Sequence, residues 1–197
     1  MPSSKDRQRI EVPNYYYEQL AQIAETEDRT ITSVLNQLLI QALNNYQPTW
    51  IPGKHLNRLN EHAQHVLTLA REEALSFNHH YIGTEHLLLG LLREQQGIAA
   101  QVLSSFGIEL AATRAIVEEQ IGRGAEVIQE EIDYVPRVRK VLSLALDEAE
   151  RQGSGYVRTE HILLGIVRDG GGVAANILDH FGVLGKVRQQ TLALLGK

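Results

Sequence analysis

Residues 84–107 read TEHLLLGLLREQQGIAAQVLSSFG, and residues 159–182 read TEHILLGIVRDGGGVAANILDHFG. The two stretches align without a gap at an offset of 75 and are identical at 13 of 24 positions. Upstream, VLTLAREEA pairs with VLSLALDEA; downstream, after a one-residue gap, IELAATRAIVEEQIG pairs with VLGKVRQQTLALLG. Self-similarity of this length marks one supersecondary unit used twice.

In the first copy, Ala63, Val66, Leu67, Ala70 and Ala74 recur at three- and four-residue steps. That spacing predicts a helix from about Asn60 to Ser76, with Asn60 as its N-cap. A second helix begins at Thr84 and carries Leu87, Leu88, Leu91 and Leu92. Gly97 opens a third, stopped by Phe106-Gly107, and a fourth stops at Ile121-Gly122. The second copy restarts at Pro136, a residue suited to a first helical turn. β-branched alternation is absent from 56–197, so this part is expected to be all-α. It holds two four-helix repeats, about 56–122 and 136–197, joined by GRGAEVIQEEIDYVP.

Residues 1–48 lie outside the repeat. RQRIEVP alternates, with Gln8, Ile10 and Val12 on one side, and reads as a short strand ended by Pro13. A helix follows from about Asn14 to Thr26, with Leu20, Ile23 and Ala24 on one face. Thr30 or Thr32 caps another, which bears Val34, Leu35, Leu38, Leu39, Ala42 and Leu43. Residues 49–55, with two prolines and a glycine nearby, form a linker. A strand and two helices in about 45 residues bury too little surface to stand alone. A homodimer is expected, with Ile10, Val12, Val34, Leu38 and Leu39 in its interface.

Composition limits the function classes. The chain has 197 residues, 43% of them apolar, a formal net charge of −5 and no cysteine. Disulfides, thiolate nucleophiles and thiolate zinc sites are excluded. The charge balance argues against a basic nucleic-acid coat or a membrane-surface binder. No stretch approaches 18 uninterrupted apolar residues and no signal segment opens the chain, so a cytoplasmic protein without a membrane partner is expected. No GxxxxGK[ST] loop, nucleophile–base pair or paired carboxylates stand out, so neither a cofactor nor enzymatic activity is expected.

The repeated Thr-Glu-His admits two readings. Thr84 and Thr159 stand where helices begin, and a capping hydroxyl there stabilises by roughly 1 kcal/mol. Glu85 and Glu160 favour the positive end of the helix dipole. The same geometry suits a ligand that offers an anion to the free N–H groups and a guanidinium to the carboxylate. Phosphoarginine carries both. His86 and His161 read as hydrogen-bonded core histidines. A metal site would recruit His79 and His80, but the second copy has Ser154 and Gly155 there, so no metal is expected.

LAREEA, HYIGTEHLLLGLLRE, GIAAQVL, VPRVRKVLSLALDEA, TEHILLGIVRD and VRQQTLALLG resemble the N-terminal domain of Clp (Hsp100) unfoldases, most closely the ClpC type. The resemblance covers about 56–197 and implies an eight-helix fold of two pseudo-twofold repeats. It implies docking of substrates, adaptor proteins and phosphoarginine-marked proteins, with Thr84, Glu85, Thr159 and Glu160 as the phosphoarginine element. The first site keeps the family's Gly83, whereas the second has Arg158; two phenylalanines that open the family's first helix are Leu56 and Leu59 here. Without the ATPase modules of an unfoldase, the expectation is a receptor domain detached from its motor. Residues 1–50, through RIEVP, LAQIAE and TSVLNQLLIQALNNY, resemble the ribbon-helix-helix (Arc/CopG-like) fold. That resemblance implies an antiparallel strand pair in the major groove of a DNA operator, presenting Lys5, Arg7, Arg9 and Glu11. Residues 1–50 hold four basic and six acidic side chains, which leaves dimerisation without DNA binding open. Two functions follow: a transcriptional regulator with a Clp-type sensor, or an adaptor, decoy or substrate receptor in Clp proteolysis.

Overall fold

The computed structural model describes residues 14–26, 30–35, 38, 55–125 and 132–196. The chain divides into two compact units, 1–47 and 48–197.

In the first unit, α1 spans Asn14–Thr26 and residues 31–35 are helical. Thr30 Oγ1 accepts the Ser33 N–H at 3.2 Å, so Thr30 rather than Thr32 is the cap. Leu20, Ala24 and Val34 form a small core, with Ile31 and Leu35 packed against it. Ile23, placed on the same face by the sequence pattern, is exposed, and so is Leu38. Lys5, Arg7, Arg9, Ile10, Glu11, Val12 and Leu39 lie outside the described residues.

The second unit is built from two matching sets of four helices. The first set is α2 (Glu61–Ser76), α3 (Thr84–Glu94), α4 (Ile98–Ser105) and α5 (Leu110–Ile121). The second is α6 (Pro136–Arg151), α7 (Thr159–Asp169), α8 (Gly172–His180) and α9 (Leu184–Leu194). Local signals set the ends: Asn60 Oδ1 accepts the Ala63 N–H at 2.9 Å, and Pro136 occupies the first turn of α6. One core runs through both sets, from Val66, Leu87 and Leu103 to Val141, Ile162 and Ile177. Within it α3 lies close against α2 because Gly90 has no side chain. A Cβ there would stand 2.6 Å from the Val66 carbonyl oxygen, and one on Gly165 would stand 2.5 Å from that of Val141.

The all-α expectation holds except at two short parallel pairings. β1 (Tyr81–Ile82) pairs with β2 (Asp133–Tyr134), and Leu59 bridges Val157. Each joins the segment leading into one set's first helix to the segment just before the other set's Thr-Glu-His. Val135 N–H donates to the Ile82 carbonyl at 3.1 Å, and Asn60 N–H to that of Val157 at 2.9 Å. The two halves are thereby strapped reciprocally, each holding the other's triplet in place.

Candidate functional site

Thr84 and Thr159 are the first residues of α3 and α7; the N-cap positions belong to Gly83 and Arg158. The capping work is done by the histidines. His86 Nδ1 accepts the Gly83 N–H at 2.9 Å, and His161 Nδ1 accepts the Arg158 N–H at 2.9 Å. With its Nδ1 accepting, His86 carries its proton on Nε2 and donates to His79 Nδ1 at 2.9 Å; His79 then donates through Nε2 to the Gly122 carbonyl at 3.1 Å. Burial, followed by the neighbouring His79, pushes the His86 pKa down to about 3. Both histidines are thus core hydrogen-bonding groups.

The threonine hydroxyls turn across the repeat boundary. Thr84 Oγ1 accepts the Ala174 N–H of α8 at 3.3 Å, and Thr159 Oγ1 accepts the Ala99 N–H of α4 at 3.4 Å. Thr159 Oγ1 then donates to Glu160 Oε2 at 3.4 Å, and at the first site the Thr84 hydroxyl favours the charged form of the Glu85 carboxyl. Each glutamate is oriented by a threonine that is itself held by the other repeat's third helix.

The electrostatics of these two glutamates differ from those of every other buried acid described. Glu73 accepts Arg114 Nε at 2.9 Å and meets Arg93 at 3.0 Å. Its partner in the repeat register, Glu148, meets Arg188 at 3.1 Å and Arg168 at 3.6 Å. Glu94 meets His62 at 2.7 Å, and Asp169 meets both Arg137 and Lys140 at 2.7 Å. Glu85 and Glu160 are each 3% exposed, yet among the described residues no basic side chain lies within ion-pair distance of either, save His86 near Glu85. That approach, 3.5 Å to His86 Nδ1, is no ion pair, because the nitrogen is already an acceptor and the ring is neutral. Burial raises the Glu85 carboxyl pKa, partly offset by its own backbone N–H and the Thr84 hydroxyl. Tyr81, 38% exposed beside it, has its hydroxyl pKa raised by burial and then by the Glu85 charge.

The two sites are not identical. A Cβ on Gly83 would collide with the Glu85 carboxylate, which folds over that glycine. Arg158 carries a Cβ at the matching position, so Glu160 cannot take the same path. At the first site Arg137 reaches the start of α8, where a Cβ on Gly172 would meet both its Cδ at 2.7 Å and Thr84 Oγ1 at 2.9 Å. Its counterpart at the second site is His62, paired with Glu94, whose other oxygen accepts the Gly97 N–H at 2.7 Å. The two sites thus carry register-matched pairs, Arg137 with Asp169 at the first and His62 with Glu94 at the second, and differ in the basic partner. Arg137 is missed by sequence reasoning, although its place in the repeat register, opposite His62, is a usable signal.

The profile of the Clp repeat N-terminal domain family matches residues 58–181, nearly two thirds of the chain. The chain belongs to the Clp N-terminal repeat family. Among curated proteins, this Clp N-domain is 54% identical over 140 residues to ClpC/MecB, the negative regulator of genetic competence of Bacillus subtilis. Those residues are 71% of this chain and 17% of that protein, so the chain spans about a sixth of the relative's length. Among solved structures, the N-terminal domain of the chaperone ClpD of Arabidopsis thaliana superposes with a TM-score of 0.59 at 22% identity, covering 72% of this chain and 96% of that one. The N-domain of ClpV in complex with a VipB peptide superposes with a TM-score of 0.50 at 18% identity, covering 59% and 71%. Among the described residues no helix is long and apolar enough to cross a membrane.

Proposed function

We propose that the second unit is a non-catalytic receptor that docks partner proteins through guanidinium-bearing groups of the phosphoarginine type. Glu85 and Glu160 are the acceptors, with Thr84 and Thr159 orienting them. One observation carries this reading: each is a buried carboxylate without a basic partner among the described residues, in a unit where the other buried acids have one. A buried charge left unpaired is costly, and a guanidinium satisfies a carboxylate with two parallel hydrogen bonds. The ClpV N-domain, which shares the fold, holds a VipB peptide, which supports a protein partner in general. Titrating an arginine-phosphorylated peptide into the isotope-labelled chain tests it. Amide signals of Thr84, Glu85, Thr159 and Glu160 should shift saturably; shifts confined to other surfaces would overturn it.

For the first unit the reading is a homodimer that presents Lys5, Arg7, Arg9 and Glu11 to a DNA operator. The whole is then a cytoplasmic transcriptional regulator whose receptor senses marked proteins. Exposure of Ile23 and Leu38 beside a core of few side chains favours pairing with a second copy. Arg9→Ala should abolish sequence-selective mobility shifts at about 50–100 mM salt, where phosphate contacts persist. If wild type gives no selective shift, the element only dimerises, and an adaptor or decoy role in Clp proteolysis takes its place.

A further inference from the structure

The linker between the repeats sets out from a fitted seat on repeat 1. Residues 122–124 follow α5 and lie across the turn that ends α2. Gly124 N–H donates to the Phe77 carbonyl at 2.9 Å, and Asn78 Nδ2 donates to the Gly124 carbonyl at 3.3 Å. Arg123 lies 4.8 Å over the Phe77 ring, donates from Nη1 to the Ser76 carbonyl at 2.9 Å and is held by Glu118 at 2.8 Å. The seat admits no side chain at Gly124, where a Cβ would collide with the Asn78 carbonyl oxygen. The remaining bond is the one from His79 Nε2 to the Gly122 carbonyl at 3.1 Å. It ends a one-way chain that runs from the Gly83 N–H through His86 to His79. Each ring receives on one nitrogen and gives from the other, so the chain has no place for a further proton. One added at His79 Nδ1 would oppose the His86 N–H, whose nitrogen is 2.9 Å away.

The surrounding charges give a protonated His79 no relief. Arg123 is a cation and Glu118 is committed to it. Tyr81, stacked on His79 at 5.4 Å, is a neutral phenol, and Glu85 approaches His86 on its Nδ1 side, away from His79. Glu73, near the end of α2, is taken by Arg93 and Arg114, and His80 is exposed. We propose that His79 is a proton-operated latch, which fastens the first residues of the linker to repeat 1 when neutral and releases them when protonated. His79 is the ring that yields, because it lies at the edge at 6% exposed, whereas His86 is fully buried behind it. Burial, opposed by the Gly122 bond and reinforced by Arg123, lowers the His79 pKa. The closed latch thus favours the neutral ring: it holds fully above the ordinary value of 6.5 and loosens as the pH falls below it. In repeat 2 the place of His79 is taken by Ser154, a residue that does not titrate there.

The test is hydrogen exchange of the full chain, followed by nuclear magnetic resonance at pH 7.5 and 5 and corrected for the pH dependence of an unprotected amide. The reporter is the Gly124 N–H, and Leu142, fully buried in α6, reports global unfolding. A histidine of ordinary pKa 6.5 that takes up its proton only in the open state raises the open fraction by at most about thirty-fold between those pH values. Wild type should therefore lose about five- to thirty-fold of its protection at Gly124 on going to pH 5, with Leu142 still protected. His79→Gln can offer a donor to the Gly122 carbonyl but takes up no proton, so it should hold Gly124 equally at both pH values. His79→Ser, the residue of repeat 2, should leave Gly124 fast at both. The proposal is overturned if Gly124 in wild type is equally protected at the two pH values, if His79→Gln loses protection as wild type does, or if Leu142 loses it in parallel. The comparison of Gly124 with Leu142 needs no variant, so it decides the matter even where His79→Gln perturbs folding.

Discussion

Replacing His86 with glutamine should make the protein's stability less sensitive to acid. The His86 ring is fully buried, receives the Gly83 N–H on Nδ1 and gives its Nε2–H to His79. A second proton would point a donor at a donor, in a site where burial already disfavours charge. The folded pKa, about 3, lies below the ordinary value of 6.5, so the neutral form is the native one. Its stabilisation is present above pH 6.5 and is lost as the pH falls from there towards 3. A shift of that size corresponds to about 5 kcal/mol at full protonation, and to about 2 kcal/mol between pH 7.5 and 5, at 1.36 kcal/mol per pH unit. His79, also lowered, acts in the same direction; Glu85, raised by burial, gains relative stability as the pH falls. Both remain in the variant, so the difference between proteins reports His86. Glutamine keeps an acceptor at the third helical position, where it serves a capping box. Urea unfolding at pH 7.5 and 5 should show wild type losing about 2 kcal/mol more than His86→Gln. Equal losses would refute the buried neutral relay.

Thr84→Val should cost about 1 kcal/mol and speed hydrogen exchange at Ala174, in the other repeat, more than within α3; protection unchanged at Ala174 would place the hydroxyl's partner elsewhere. Gln95 sits at φ 63°, where its counterpart is Gly170 at 65°, so Gln95→Gly should raise thermal stability by about 0.5–1 kcal/mol, the left-handed cost less the entropy of glycine. Light scattering should report a dimer for the full chain and a monomer for residues 56–197; a dimeric fragment would move the interface into the Clp-like unit.

Much of the helical fold was legible because its signals are local. Asn60, Gly97, Pro136 and the Phe106-Gly107 stop act within one turn of the helices they bound. The parallel pairings were not, since a two-residue strand leaves no alternation to read and Tyr81 finds Asp133 some fifty residues away. The triplet was half legible. A threonine at a helix start reads as that helix's cap, but Gly83 and Arg158 hold the cap positions and the hydroxyls bond to Ala174 and Ala99. The Glu73 and Glu148 clamps went unread because periodicity counts apolar residues and passes over charges on a buried face. Their signal lies in the repeat register, which keeps Arg93 with Arg168 and, across the one-residue gap, Arg114 with Arg188.

Isothermal calorimetry of free phosphoarginine against wild type and the Glu85→Gln/Glu160→Gln double variant tests the receptor reading most directly. Glutamine keeps the shape and one acceptor oxygen but removes the charge that a guanidinium needs. A charge-assisted hydrogen bond contributes roughly 1.5–3 kcal/mol, so wild type should bind and the double variant should bind at least about ten-fold more weakly, with helix content unchanged by circular dichroism. Equal affinity in the two proteins, or no binding by wild type, would contradict the assignment of Glu85 and Glu160 as guanidinium acceptors.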